Sequence, residues 1–85
     1  MAASIIQAYR DDEHLLVQCK HWQKEKIGPH IIREMLGTLQ TFPEGAHGVI
    51  ITSTHLTESA KRLAIQNGIQ FIENVDFSQR ISSKL

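Results

Sequence analysis

Cysteine, proline, tryptophan and tyrosine are scarce in this chain of 85 residues: it has one Cys, two Pro, one Trp and one Tyr. The lone Cys19 excludes an intrachain disulfide. A reducing, intracellular compartment is therefore expected, either the cytoplasm or an organelle matrix such as that of the mitochondrion. No apolar run approaches the roughly 18 residues that a spanning helix needs, so no membrane partner is expected. The opening "MAASIIQAYR" has no basic n-region and does not read as a secretory signal. Acidic and basic residues balance at nine each, which argues against a uniformly basic coat and leaves room for a local basic patch. The five histidines lack zinc-like spacing, so no structural metal is expected.

What remains is an ordinary aliphatic content in a length that suits one small domain, 1–85, with a core over about 4–73 and a tail over 74–85. "SIIQAY" (4–9) and "HLLVQCK" (14–20) read as strands, and the polar "RDDE" (10–13) joins them as an antiparallel hairpin. "HWQKEKIGP" (21–29) is a loop. Pro29 suits a helix's first turn, and Ile31, Ile32, Met35, Leu36, Leu39 and Phe42 repeat at helical spacing until "PEG" (43–45). "GVIIT" (48–52) is a short apolar run of the kind found in strands buried on both faces. Thr57 is a candidate N-cap for a second helix that carries Ala60, Leu63 and Ala64 on one face and stops at Asn67-Gly68. "IQFI" (69–72) is the last strand. The order ββαβαβ predicts an α/β fold: a mixed sheet with right-handed crossovers and an antiparallel hairpin at its edge.

The second strand ends unusually. Alternation puts His14, Leu16, Gln18 and Lys20 on one face, so a glutamine and a lysine are neighbours at the strand's C-terminal end. Ligands of open α/β sheets bind at that end. A glutamine carbonyl can ligate a hard cation, and a lysine can steady a phosphate or an attacking water. The competing reading is a strand that turns polar as it reaches solvent.

"VQCKHW", "IGPHIIREMLGTL" and "GVIITSTHLTESAKRLAIQNGIQFIE" together resemble the Mrr-like type IV restriction endonuclease domain, over about Tyr9 to Glu73. That family belongs to the nuclease superfamily marked by an acidic residue followed by D/E/Q-x-K. The resemblance implies a restriction-endonuclease-like fold, DNA as partner and Mg²⁺ as cofactor. It implies that Gln18 positions the metal and that Lys20 is the catalytic lysine. It also implies a metal-binding Asp on the preceding strand, in a register that falls on Ile5, with Ser4 and Ile6 on either side. None of these can replace it, so the resemblance implies a domain truncated or altered at its N-terminus, or degenerate. Asp11, Asp12 and Glu13 read as solvated turn residues at the wrong end of the hairpin.

Lys20, His21, Lys24, Lys26, His30 and Arg33 form a dense basic set for a neutral chain. Lys24, Lys26, His30 and Arg33 are the candidate phosphate contacts, the alternative being a solvated loop balanced by Glu25 and Glu34. Gly37, opposite the apolar helix face, has three readings: close approach of a DNA backbone, a helix crossing, or simple tolerance. Ser53, Thr54 and His55 have two readings, lining the site beside Lys20 or, preferred, capping the second helix. Cys19 is expected to point away from Lys20 as a small core residue, and Trp22 to close the sheet edge or stack on a base. Two alternatives to an active enzyme stand beside it. One is a non-catalytic relative that binds nucleic acid or protein through the same surface. The other is a structural piece that assembles with its own copies. Both crossover helices should lie on one sheet face, which predicts a homodimer through the other, the competing reading being that the tail from Phe77 folds back to cover it.

Overall fold

The computed structural model describes residues 2–21, 26–42 and 44–76. Strands β1 (Ala2–Arg10) and β2 (Glu13–His21) are followed by helix α1 (Pro29–Leu39), strand β3 (His47–Thr52), helix α2 (Glu58–Gln66) and strand β4 (Gln70–Ile72). They form one sheet in the order β1-β2-β3-β4. The first pair is antiparallel and the other two are parallel.

The hairpin turn is tighter than "RDDE" suggests. Arg10 pairs with Glu13, so only Asp11 and Asp12 turn the chain. Both have positive φ, 51° and 70°. Two-residue hairpin loops with positive φ at both positions match the right-handed strand twist, and Asp tolerates that conformation better than most residues.

Helix α2 has both ends specified by sequence. The Thr57 side chain accepts from the Ala60 N–H at 3.1 Å, and Glu58 occupies the first turn. At the other end Gly68 adopts φ +70°. Its N–H donates to Ile65 O, and the Ile69 N–H donates to Ala64 O. This is the paired-bond stop that a left-handed glycine permits. The cap is thus Thr57 rather than Ser53, Thr54 or His55. Those three residues instead tie the C-terminal edge together: Ser53 N–H donates to Lys20 O, Asn74 N–H donates to Thr54 O, and Ile27 N–H donates to His55 O.

Both helices pack on the same side of the sheet and against each other. The core joins Ile27, Ile31, Ile32, Met35, Ile50, Leu56, Ala60, Ala64 and Ile69, with Leu36, Leu39, Leu63 and Phe71 at its margin. Gly48 lets α1 settle on β3, because a Cβ there would come within 2.5 Å of Met35 Sδ and 3.2 Å of Leu39 Cδ1. Phe42 lies past the helix end and turns to the hairpin, edge-on to His14, whose ring stacks on Tyr9. Cys19 is only half-buried and pairs with Ile51 on the opposite sheet face, outside the helix-covered core. No helix among the described residues is long and apolar enough to cross a membrane.

Candidate active site

Registration of β2 against β3 sets the site. Leu16, Gln18 and Lys20 face Gly48, Ile50 and Thr52 respectively. Since paired strand positions share a face, all six point toward the helices. Gln18 and Lys20 thus lie on one face, as the alternation predicts, and Lys20 is held beside the Ser53–His55 segment through the bond from Ser53 N–H at 3.2 Å.

Burial separates these residues from an ordinary strand end. Gln18 is 7 % exposed, Lys20 6 % and Thr52 0 %, and they are the buried polar or charged residues among those described. Polar side chains rarely enter a core without a purpose, and they converge here at one end of two adjacent strands. The Thr52 hydroxyl accepts from the Thr54 N–H at 3.1 Å, which shapes the turn beside Lys20. Gln18 instead lines a pocket of about 80 Å³, shared with Leu16, Glu34, Met35 and Thr38.

The loop entering α1 is anchored at the same edge. Ile27 and Leu56, both buried, form an isolated parallel bridge. The Thr57 N–H donates to Ile27 O at 2.9 Å. Lys26, His30 and Arg33 are exposed and follow helical spacing up to Gly37. Among the described residues nothing lies within 4 Å of a Cβ built on Gly37, so neither described helix crosses there. The N-cap Gly28 offers no side chain, and α1 has no acid in its first turn. The site edge is fixed from the far side by Glu73, whose carboxylate accepts from Leu56 N–H at 2.7 Å and lies 3.7 Å from Lys61 Nζ.

Residues 3–81 match a family model for the Mrr catalytic domain, described as a restriction endonuclease. The chain belongs to the Mrr-type restriction endonuclease family. Its mixed sheet is a restriction-endonuclease-like fold, and the family is one of nucleases. No curated protein and no solved structure matches the chain.

In this Mrr-type domain, position 5 stands directly across from Gln18 in the hairpin register, and position 3 across from Lys20. The strand acid that the resemblance implies falls at position 5, where this chain has isoleucine. Asp11 and Asp12 occupy the turn at the opposite end of β2 from Lys20, and Glu13 pairs with Arg10 at 3.5 Å. Lys24 and Trp22 lie outside the described residues. Sequence reading assigns Glu34 only a charge-balancing role and does not single out Thr38 or Thr52. The first two are detectable: they stand four residues apart on the α1 flank that adjoins Ile31 and Met35, where a helix overlooks the neighbouring strand.

Proposed function

We propose that the domain acts on DNA as a Mg²⁺-dependent endonuclease, with Gln18 and Lys20 at its reacting centre. The observation that carries this reading is the burial of Gln18, Lys20 and Thr52 together at the C-terminal end of β2 and β3. Burying a lysine and an amide side by side costs stability, and such costs concentrate where chemistry needs them.

The donors around the pocket suit a hard cation in kind, since Gln18 and Thr38 offer neutral oxygens and Glu34 a carboxylate. They are few: no group of three His, Cys, Asp or Glu that could hold a metal occurs among the described residues. Mg²⁺ usually relies on one or two carboxylates together with substrate phosphates, so metal binding should be weak and completed by DNA. When bound, the cation supplies charge neutralisation and a more acidic water at the scissile phosphate. Lys20 steadies the attacking water or the phosphate, and Gln18 orients the oxygen shell. Lys26, His30 and Arg33, with Lys24 beside them in sequence, hold the phosphate backbone along the exposed side of α1. Contacts of that kind carry no base information, so binding is indifferent to sequence.

A second reading is favoured by one observation, the isoleucine at the position paired with Gln18. On it the domain keeps the DNA-holding surface and has lost the cleavage step. Titration of a fluorescent duplex at two salt concentrations, alongside plasmid cleavage in Mg²⁺, tests both readings. Salt-sensitive binding that weakens in Lys24→Glu/Lys26→Glu supports the DNA interface, with a log–log slope reduced by about 0.9 for each phosphate that is no longer neutralised. Slow cleavage abolished by Lys20→Ala supports the enzyme, and binding without cleavage supports its inactive relative. Affinity insensitive to salt would sink the interface.

A further inference from the structure

We infer that Glu34 and Gln18, with Thr38, form a divalent-cation site in which a helix carboxylate stands where the strand carboxylate is missing. The site presupposes the nuclease reading of Gln18 and Lys20 and adds the acid that reading lacks. Gln18 is only 7 % exposed, yet its side chain makes no hydrogen bond among the described residues, and it lines the open pocket that α1 flanks. An unpartnered buried amide is costly and calls for an occupant. Its pocket contains one carboxylate, Glu34, which forms no ion pair with the other described residues.

Glu34 and Thr38 are one helical turn apart, so their side chains lie one above the other on the flank of α1 that overlooks β2. The Thr38 hydroxyl donates to Glu34 O at 3.1 Å, which directs its proton to the helix and leaves its lone pairs for a ligand. A volume of about 80 Å³ is enough for an ion and a small number of waters. Two neutral oxygens, a carboxylate and several waters form the shell that a small hard cation accepts. Lys20, the next residue on the same face of β2, would be the residue to hold a phosphate drawn to that ion.

Mn²⁺ serves as the probe, added below stoichiometry to the full ¹⁵N-labelled chain. Paramagnetic broadening of amide signals reports position without any need for cleavage. Broadening centred on Gln18, Glu34 and Thr38 is expected. In Glu34→Gln, whose side chain is exposed and whose fold should survive, the apparent Mn²⁺ affinity should fall about tenfold or more, because the only charged ligand is removed. Glu34→Asp should retain part of it. Broadening absent from these residues, centred on Asp11 to Glu13, or unchanged in Glu34→Gln overturns the site. Lys20→Ala distinguishes the two levels. Mn²⁺ broadening dependent on Glu34, combined with DNA handling indifferent to Lys20, would remove the nuclease reading and leave the cation site standing.

Discussion

Replacing Gln18 by methionine should make the protein more stable. Gln18 is 7 % exposed and its amide has no hydrogen-bond partner among the described residues. Leaving such a group unsatisfied costs about 1–3 kcal/mol. Methionine has nearly the same length and volume, needs no partner and adapts to an irregular space beside Leu16 and Met35. Repacking and partial hydration from the pocket mouth offset some of the gain, so about 1–2 kcal/mol is expected. For a domain of this size each kcal/mol corresponds to a rise of about 4–8 °C in Tm. The assay is urea unfolding followed by circular dichroism, with the midpoint rising while the m-value stays unchanged. The same variant should lose the Mn²⁺ broadening, so stability and binding move in opposite directions. A midpoint that falls would mean that the amide is already satisfied in the folded protein, and Gln18 would then be a structural residue.

Three other perturbations follow from the fold. Gly48→Ala should destabilise by about 1–3 kcal/mol, since the added methyl would crowd Met35 and Leu39. A urea midpoint equal to that of the parent chain would mean that α1 can shift at no cost. Ile5→Asp restores a carboxylate opposite Gln18 and should tighten Mn²⁺ binding, as read by calorimetry. An unchanged affinity would show that the family's acid position does not map to this register. Self-association through the sheet face without helices should appear as a concentration-dependent mass in sedimentation. Covering a few hundred Å² on each partner would favour pairing by several kcal/mol before association costs, at about 25 cal/mol per Å². A monomer of 9.6 kDa at micromolar concentration would exclude it.

The parts of the fold that are legible in the sequence are those governed by neighbours in the chain. A two-residue acidic turn, a threonine cap and a left-handed glycine stop are local, and each occurs where the residue types put it. Features set by residues distant in sequence are not legible. Gly48 reads as part of an apolar run, and only the seating of Met35 and Leu39 on it explains the absence of a side chain. The bridge between Ile27 and Leu56 joins two segments that each read as loop. Alternation turns Cys19 away from Lys20, as the structure has it beside Ile51, but the sequence does not show that neither helix covers that face, so Cys19 is half-buried rather than a core residue. Of the candidate site, the pair on β2 follows from alternation, whereas Glu34 needs the packing angle of a helix.

The polarity of β2 is inverted relative to the cover it receives. Its helix-facing side carries His14, Gln18 and Lys20, with Leu16 as the one aliphatic residue. Its other side, which neither helix covers, carries the half-buried Leu15, Val17 and Cys19, beside the buried Val49 and half-buried Ile51 of β3. Ile6 and Ile72 extend that surface to both edges of the sheet and are 50 % and 51 % exposed. A strand selected for stability alone would have the opposite parity, and a one-residue change of register would supply it. The register is nevertheless fixed by the two-residue turn on one side and by the Lys20–Ser53 bond on the other. Two consequences come from this one choice. Gln18 and Lys20 face the side of the sheet that the helices cover, and Gln18 lines a pocket there with Glu34 and Thr38 of α1. The apolar residues are left on the face without helices, so the proposed site and the predicted association would both rest on this one parity.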